Sequence, residues 1–429
     1  MTATTVDPWP APIAPAPIRA TVAVPGSKSE TNRALVLAAL ASGPSTIRYG
    51  LDARDTRLMR DALRALGVKI TETGDEWRIE PPAEFTSGGT IDCGLAGTVM
   101  RFVPPLAALA PGEVLFDADE QAYRRPMDVL LRALRDLGAE IPAESSTLPF
   151  RITGRPDLPG GVVTIDASAS SQFVSALLLA GARFAGGLDL RHDGKGVPSQ
   201  PHIDMTVAML RERGVRVDDS EPARWVVSPG EIAPLDVDIE PDLSNAAPFL
   251  AAAAITGGTV TVPGWPERTL QPGDQLRDIL TRFGAAVGLN DSGLTVIGTD
   301  RLKPVDLDLH EASELTPVVA AVAALADGTS HIRGVAHIRG HETDRLSALA
   351  SELGALGADV TEHPDGLSIT PAPLRGGLFR TYADHRMAHA AVILGSAVAG
   401  VEVENVGTTG KTFPDFPGLW GSLLEQAGS

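Results

Sequence analysis

Stretches rich in Ala and Leu, apolar nearly all round, alternate along this chain with short runs of β-forming residues. One unit, an apolar stretch followed by a Gly-containing turn and a short β-like run, recurs six times. It appears as Ala34–Ala41 before Thr46–Arg48, Phe102–Ala110 before Glu113–Phe116, and Phe173–Ala182 before Leu188–Arg191. It returns as Phe249–Ile255 before Thr259–Val262, Val318–Ala326 before Ser330–Arg333, and Ala388–Ala399 before Val401–Glu404. Counted from residues 34, 102, 173, 249, 318 and 388, the spacings are 68, 71, 76, 69 and 70. A fixed period of this size marks repeated supersecondary units. A helix with no polar face is a buried helix.

A second unit follows the first: an amphipathic helix, a Gly, then a strand. Its copies are Asp55–Leu66 with Gly67 and Val68–Ile70, Met127–Leu137 with Gly138 and Ala139–Ile141, and Ile203–Arg213 with Gly214 and Val215–Val217. Asp274–Phe283 with Gly284, Arg345–Leu356 with Gly357, and a C-terminal helix over Gly418–Ala427 continue the series. Each Gly suits the left-handed position just past a helix end. The pattern predicts an α/β protein of six βαβαβ-type units, with buried helices surrounded by sheets. Six units exceed one ordinary core, so two lobes of three are expected, with a seam at Asp238–Asp242. Ahead of the repeats, Asp7–Ile18 carries prolines at 8, 10, 12, 15 and 17, which favours an extended surface arm.

Composition narrows the class. The chain has 429 residues and a net charge of −18, which argues against nucleic acid or an anionic membrane as partner. The single cysteine, Cys93, excludes an internal disulfide framework and a thiolate zinc cluster, and reads as a buried small residue. The longest apolar runs fall short of the roughly 20 residues a membrane span needs. No basic segment followed by an apolar stretch stands at the N-terminus, so a cytoplasmic location is expected.

The chemistry gathers just before the buried helices. There stand Pro25–Arg33 (Pro-Gly-Ser-Lys-Ser-Glu-Thr-Asn-Arg), Gly94–Arg101, Ser168–Gln172, Asp242–Asn245, Glu311–Thr316 and Tyr382–Arg386. Helix N-termini carry unpaired N–H groups and partial positive charge, and so attract anions. Lys28, Arg33, Arg101 and Arg386 add formal charge to the same ends. Ordinary N-capping by Ser, Thr and Asp explains any one such end, but six repeats with cations alongside point to a basic site for small polyanions. Arg125, Arg345 and Lys411, in polar turns, are further anion ligands. Pro25–Ser29 lacks the spacing of a P-loop, and no dinucleotide-binding glycine pattern is present. His331, His337 and His341 with Glu342 lack metal-site spacing, so neither metal nor cofactor is expected.

At these residues the sequence resembles the 5-enolpyruvylshikimate-3-phosphate (EPSP) synthase family, the 3-phosphoshikimate 1-carboxyvinyltransferases. The motifs are Pro-Gly-Ser-Lys at 25–28 with Asn32-Arg33, Leu-Ala-Gly-Thr at 95–98 with Arg101, and Arg-Pro at 125–126. They continue as Ser-Ser-Gln-Phe at 170–173, Glu-Thr-Asp-Arg-Leu at 342–346, Asp-His-Arg-Met-Ala at 384–388 and Lys-Thr-Phe-Pro at 411–414. They stand in family order across nearly the whole chain. The resemblance implies two inside-out α/β lobes of three βαβαββ units each, with the site in the cleft between them. Residues 1–24 plus 242–429 would form one lobe and 25–241 the other, with the N-terminal arm joining the former. It further implies transfer of the carboxyvinyl group of phosphoenolpyruvate to the 5-hydroxyl of shikimate 3-phosphate by a metal-free monomer of the shikimate pathway, with glyphosate as inhibitor.

Carried over residue by residue, the family pattern places Lys28, Ser29, Arg33, Ser170, Ser171, Gln172, Ser199, Glu314 and His341 on shikimate 3-phosphate. Lys28, Gly97, Arg125, Gln172, Arg345, Arg386 and Lys411 would hold phosphoenolpyruvate. Lys28, Glu314, Glu342, His385 and Lys411 would be the catalytic set, with Glu314 the base for the 5-hydroxyl and Glu342 the proton-transfer partner at C3. Departures from the family pattern are Leu95 for the usual Asn, Glu314 for the common Asp, His337 and His341 for Asn and Lys, and His202 for an aromatic. Two alternatives remain open at this point. One is UDP-N-acetylglucosamine enolpyruvyl transferase, disfavoured because Glu120–Met127 holds no cysteine. The other is an inactive phosphosugar-binding protein.

Overall fold

The computed structural model describes residues 7–425. The chain separates into two compact units, Gly26–Ile239 and the combination of Met1–Pro25 with Glu240–Ser429. Each has its own continuous apolar core.

In the unit Gly26–Ile239 the helices are α1 (Lys28–Leu40), α2 (Arg54–Ala65), α3 (Gly97–Phe102), α4 (Pro104–Ala107), α5 (Asp128–Asp136), α6 (Ser171–Gly181) and α7 (Gln200–Glu212). In the other they are α8 (Leu243–Thr256), α9 (Leu276–Arg282), α10 (Thr316–Ala323), α11 (Arg345–Ala355), α12 (His385–Ala397) and α13 (Phe416–Glu425). Helices α1, α3 and α6 touch one another in the first unit, as α8, α10 and α12 do in the second. These are the six apolar stretches, and they are buried on every side, Ala34–Leu40 and Phe249–Ala254 among them. The amphipathic helices lie outside them. In α2 the buried stripe is Met59, Ala62 and Leu63. Glycines 67, 138, 214, 284 and 357, just past the ends of the amphipathic helices, all have positive φ, between 76° and 110°.

Among the described residues, each unit carries three sheets. In the first unit, one sheet runs Val237–Asp238, Ser45–Arg48, Glu76–Glu80, Lys69–Thr73; the others are Thr90–Asp92, Gly112–Asp117, Phe150–Gly154 and Gly161–Ile165, Leu188–His192, Arg224–Val227, Val217–Asp218. In the second unit, Arg19–Thr21 lies parallel to Thr259–Val262, Asp306–Asp308 lies parallel to Ser330–Arg333, and Gly377–Phe379 lies parallel to Val401–Val403. Side chains alternate as the pleat requires: Trp77 and Ile79 are buried while Glu76 and Arg78 face water.

The strands Arg19–Thr21 and Val237–Asp238 each complete a sheet of their own unit just before the chain passes into the other. The passing segments are tied together where the Asp242 N–H donates to the Pro25 carbonyl at 2.8 Å. The proline-rich leader is extended, and part of it is structural. Trp9–Pro10 pairs with Val401–Val403, and the Ala14 N–H donates to the Ser396 carbonyl.

Three sequence expectations change. The buried helices begin two to six residues before their apolar stretches, and in α1, α6, α8 and α12 that first turn is capped by Ser27, Ser170, Asp242 and Asp384. Ala139–Ile141 is not a strand; Glu140 makes only an isolated bridge to Thr153. The Arg135 guanidinium takes the carbonyls of Ile141, Pro142 and Ser145, and Pro142 has no N–H to extend a ladder. The last helix is Phe416–Glu425, and the remainder of the expected Gly418–Ala427 lies outside the described residues.

Candidate active site

Because the polar motifs occupy the first turns of buried helices, the fold brings them to the same end of each helix cluster. In the unit Gly26–Ile239, Lys28 opens α1, which Ser27 caps through its hydroxyl. Its Nζ lies 3.4 Å from Oδ2 of Asp55, a carboxylate 2% exposed on α2. Gly97 opens α3. A Cβ there would come within 3.0 Å of Arg125 Nη2 and 3.4 Å of Gln172 Oε1, so the three groups crowd one point. Arg125 is aimed by donating to the Leu95 carbonyl at 3.0 Å. That contact uses backbone, so the departure at position 95 does not remove it. Gln172 is oriented by Arg101, whose Nη1 donates to Oε1 at 2.6 Å, while Arg101 lies over the Phe173 ring. Ser170 caps α6 by accepting from the Gln172 N–H, and Ser171 is the buried first residue. Ser199 caps α7 with φ 53°, a left-handed conformation that non-glycine residues seldom adopt.

Arg33 is turned inward. It donates to Thr206 Oγ1 at 2.8 Å, to the Ser29 carbonyl at 3.0 Å, to the His202 carbonyl at 3.0 Å and to Ser175 Oγ at 3.2 Å. Burial pulls its pKa down to about 9. It joins α1, α6 and α7, and it holds the backbone of both Ser29 and His202.

In the second unit, the short turn Ser313–Leu315 carries Glu314 to the start of α10. Glu314 Oε1 accepts from Ser244 Oγ at 3.3 Å, and its backbone carbonyl accepts from Arg386 Nη1 at 3.1 Å. Burial raises its carboxyl above the usual carboxylate range, against the pull of Arg386. Arg345, 2% exposed, donates Nε to Asp384 Oδ2 at 2.7 Å and Nη2 to Asp384 Oδ1 at 3.1 Å, a bidentate pair. The same Nη2 reaches Glu342 Oε2 at 2.9 Å, and Lys411 Nζ reaches Glu342 Oε1 at 2.7 Å. Glu342 therefore sits between two cations. Asp384 also caps α12, accepting from the Arg386 N–H at 2.9 Å, which fixes where Arg386 and the buried His385 begin.

His341 Nδ1 lies 3.1 Å from Arg345 Nη1. An arginine only donates, so Nδ1 accepts and Nε2 carries the proton of the neutral ring. His337 Nε2 pairs with Ser313 Oγ at 2.7 Å, and burial lowers its pKa to about 4. His337 is therefore neutral near pH 7 and supplies no charge to a phosphate. Cys93 is buried, with its thiol pushed up by desolvation.

Among the sequence-predicted site residues, the structure brings together Gly97, Arg125 and Gln172 in one unit, and Glu314 with Arg386 and Glu342 with Arg345 and Lys411 in the other. Three groups were not picked out as ligands or catalysts: Asp55, Asp384 and Ser244. Asp384 was signalled as the acid directly before His385-Arg386 at a helix start. Asp55 lies 27 residues from Lys28, and nothing local announces their pairing. Among the described residues, no group of three or more His, Cys, Asp or Glu side chains is arranged to hold a metal ion. Nor is any helix among them long and apolar enough to cross a membrane. A groove of about 620 Å³ lined by residues including Ala326, Arg375 and Ala397 lies at the C-terminal ends of α10 and α12, opposite the ends that carry Glu314 and His385.

Comparison with known proteins decides the family. The family model for EPSP synthase (3-phosphoshikimate 1-carboxyvinyltransferase) matches residues 13–420. The chain belongs to the EPSP synthase family. It is 55% identical to a 3-phosphoshikimate 1-carboxyvinyltransferase of Kocuria rhizophila, over 98% of each chain. It is 54% identical to one of Mycobacterium ulcerans, again over 98% of each. An EPSP synthase structure from Acinetobacter baumannii superposes with a TM-score of 0.79 at 25% identity, covering 97% of both chains. The enolpyruvyl transferase NikO from Streptomyces tendae shares the fold, with a TM-score of 0.73 at 20% identity over 96% of both chains. Family, relatives and fold support EPSP synthase function, and the UDP-N-acetylglucosamine reading is not favoured.

Proposed function

We propose that this chain moves the carboxyvinyl group of phosphoenolpyruvate onto the 5-hydroxyl of shikimate 3-phosphate, releasing phosphate, and that residues of both units serve this one reaction. The observation that carries the reading is the carboxylate pair in unlike settings. Glu314 is raised by burial, and Glu342 is held between Arg345 and Lys411. Addition needs a base at the hydroxyl oxygen and an acid at C3 of phosphoenolpyruvate; elimination needs the C3 proton removed as phosphate leaves. Glu314, more basic than a surface carboxylate, takes the hydroxyl proton. The contact between Lys411 Nζ and Glu342 Oε1 holds the proton that moves to C3 and is later recovered.

Lys28, Arg125, Arg345 and Arg386 supply fixed positive charge for the phosphate and carboxylate of phosphoenolpyruvate. Ser29, Ser170, Ser171, Gln172, Ser199 and His341 Nε2 supply donors for shikimate 3-phosphate. Arg33 supports that surface through Ser29 and His202 as well as by charge. His385, buried at the start of α12, lines the reacting end. We assign the protein to the cytoplasm and to a monomeric state as parts of the same reading.

The test is purified protein with both substrates, following phosphate and the enolpyruvyl product, with UDP-N-acetylglucosamine as the parallel acceptor and EDTA throughout. Product with shikimate 3-phosphate alone, insensitive to EDTA, supports the reading. Absence of product despite saturable binding of shikimate 3-phosphate refutes it in favour of a binding protein.

A further inference from the structure

The segment that leads into α12 is built in an unfavourable conformation. The Asp384 N–H donates to the Thr381 carbonyl at 2.8 Å, closing a turn whose two central residues are Tyr382, with φ 54°, and Ala383, with φ 56°. A turn with both central residues left-handed normally takes Asn and Gly, because a Cβ disfavours positive φ. Here a tyrosine and an alanine occupy those places. Strain of this kind persists only where the surroundings impose it.

Two carboxylates impose it. Glu352, with 0% of its side chain exposed, accepts from the Tyr382 hydroxyl at 2.5 Å through Oε1 and from the Arg380 N–H at 3.0 Å through Oε2. Glu404 Oε2 accepts from the Thr381 N–H at 2.9 Å and from its hydroxyl at 3.3 Å. Glu352 stands on α11, the helix that Arg345 opens, two turns further along and on the same side. Helix α11 thus grips the segment twice: Arg345 holds Asp384, and Glu352 holds the turn immediately before it. The turn sets where Asp384 sits. Asp384 in turn orients the Arg345 fork and caps the helix from which Arg386 projects.

We propose that Glu352, acting through Tyr382, is a positioning residue: it holds the left-handed turn 381–384 so that Asp384 presents Arg345 and Arg386 to the carboxylate and phosphate of phosphoenolpyruvate. The proposal rests on the functional reading above for the identity of that ligand. Glu352 touches no reacting atom.

The experiment compares Glu352→Gln, Tyr382→Phe, and each combined with Ala383→Gly. The readouts are kcat, the KM for each substrate, Tm, and amide hydrogen exchange over residues 380–390. Glu352→Gln keeps one acceptor and loses the other. It raises the KM for phosphoenolpyruvate about tenfold, well inside the hundredfold that a 1 Å misplacement can cost. The KM for shikimate 3-phosphate stays within twofold of wild type, and exchange over 380–390 speeds up. Tyr382→Phe does the same to a smaller extent, and at a partly exposed side chain it tests the idea even if Glu352→Gln fails to fold. Glycine adopts positive φ without strain, so Ala383→Gly restores at least half of the lost affinity in either background. A folded Glu352→Gln or Tyr382→Phe protein with a lower Tm but unchanged KM and unchanged local exchange overturns the proposal, as does absence of rescue by Ala383→Gly. If wild-type protein makes no product while the exchange pattern responds and is rescued, the functional reading falls and the role of Glu352 in holding the turn stands.

Discussion

Replacing Glu314 by Gln separates catalysis from stability at a single atom pair. Gln conserves the volume, and its Oε1 can still accept from Ser244 Oγ, which lies 3.3 Å from the Glu314 carboxylate. What is lost is the negative charge and the ability to take a proton. A positioned base is worth about 10²- to 10⁴-fold in rate, or roughly 3–5 kcal/mol at 1.36 kcal/mol per decade. The expected result is therefore a kcat lowered by at least a hundredfold, with both KM values changed little. Stability moves the other way. Burial raises the folded-state pKa of Glu314 above its ordinary value of 4.5. A group shifted in that direction contributes its stability at low pH and loses it as pH rises through the folded pKa. Glu314→Gln should thus be more stable relative to wild type at pH 7 than at pH 4.5, read as the difference in Tm across that range. The pH profile of wild-type kcat/KM should also show an acid limb above the usual carboxylate range, missing from the residual activity of the variant. A loss smaller than tenfold, or a Tm difference that shrinks as pH rises, would refute the reasoning.

Gly97→Ala places a methyl group 3.0 Å from Arg125 Nη2 and 3.4 Å from Gln172 Oε1. The KM for phosphoenolpyruvate should rise and glyphosate inhibition should weaken; equal inhibition constants in both proteins would rule the placement out. Lys28→Ala and Arg386→Ala should each lower turnover by orders of magnitude with an unchanged circular dichroism spectrum, and near wild-type rates in either would count against the assigned cations. His389, buried against Phe416 with ring centroids 4.6 Å apart, has its pKa lowered by burial to about 3 from 6.5. It favours the fold above pH 6.5, and that contribution is lost as pH falls from 6.5 toward 3. His389→Phe should flatten the acid limb of Tm against pH in that window, and an unchanged limb would contradict this.

The architecture was legible because its signal is periodic. Six helices without a polar face must be enclosed, and five amphipathic helices ending in Gly must lie outside them. The glycines at 67, 138, 214, 284 and 357 could be read in advance because only their backbone freedom fits the position. The cations of the site were legible too, since Lys28 and Arg386 stand in first turns where no helix dipole calls for positive charge. What pairs with them was not. Asp55 meets Lys28, and Glu342 meets Lys411, across tens of residues, and register in the sequence carries no record of that closeness. The failed strand at Ala139–Ile141 has a similar cause: whether this short segment joins a ladder depended on Arg135 claiming the carbonyls of Ile141 and Pro142.

These hidden pairings explain how a chain of net charge −18 can keep cations ready for anionic substrates. A buried arginine or lysine without a counter-ion would be costly, and one left mobile in water would have to reorient as each substrate arrived. Here Lys28 leans on Asp55, Arg345 on Asp384 and Glu342, and Lys411 on Glu342, each within its own unit. Each cation is thus oriented by a carboxylate on one side before any ligand binds. The partner carboxylate offsets part of the charge without using all the donors, since Lys28 and Lys411 each carry three N–H groups. Electrostatic preorganisation of this kind supplies transition-state charge stabilisation without reorganisation during the reaction. It follows that removing Asp55 or Asp384 should damage the site even though both are negative and their loss makes the protein less acidic. A site working through bulk positive potential alone would respond in the opposite sense.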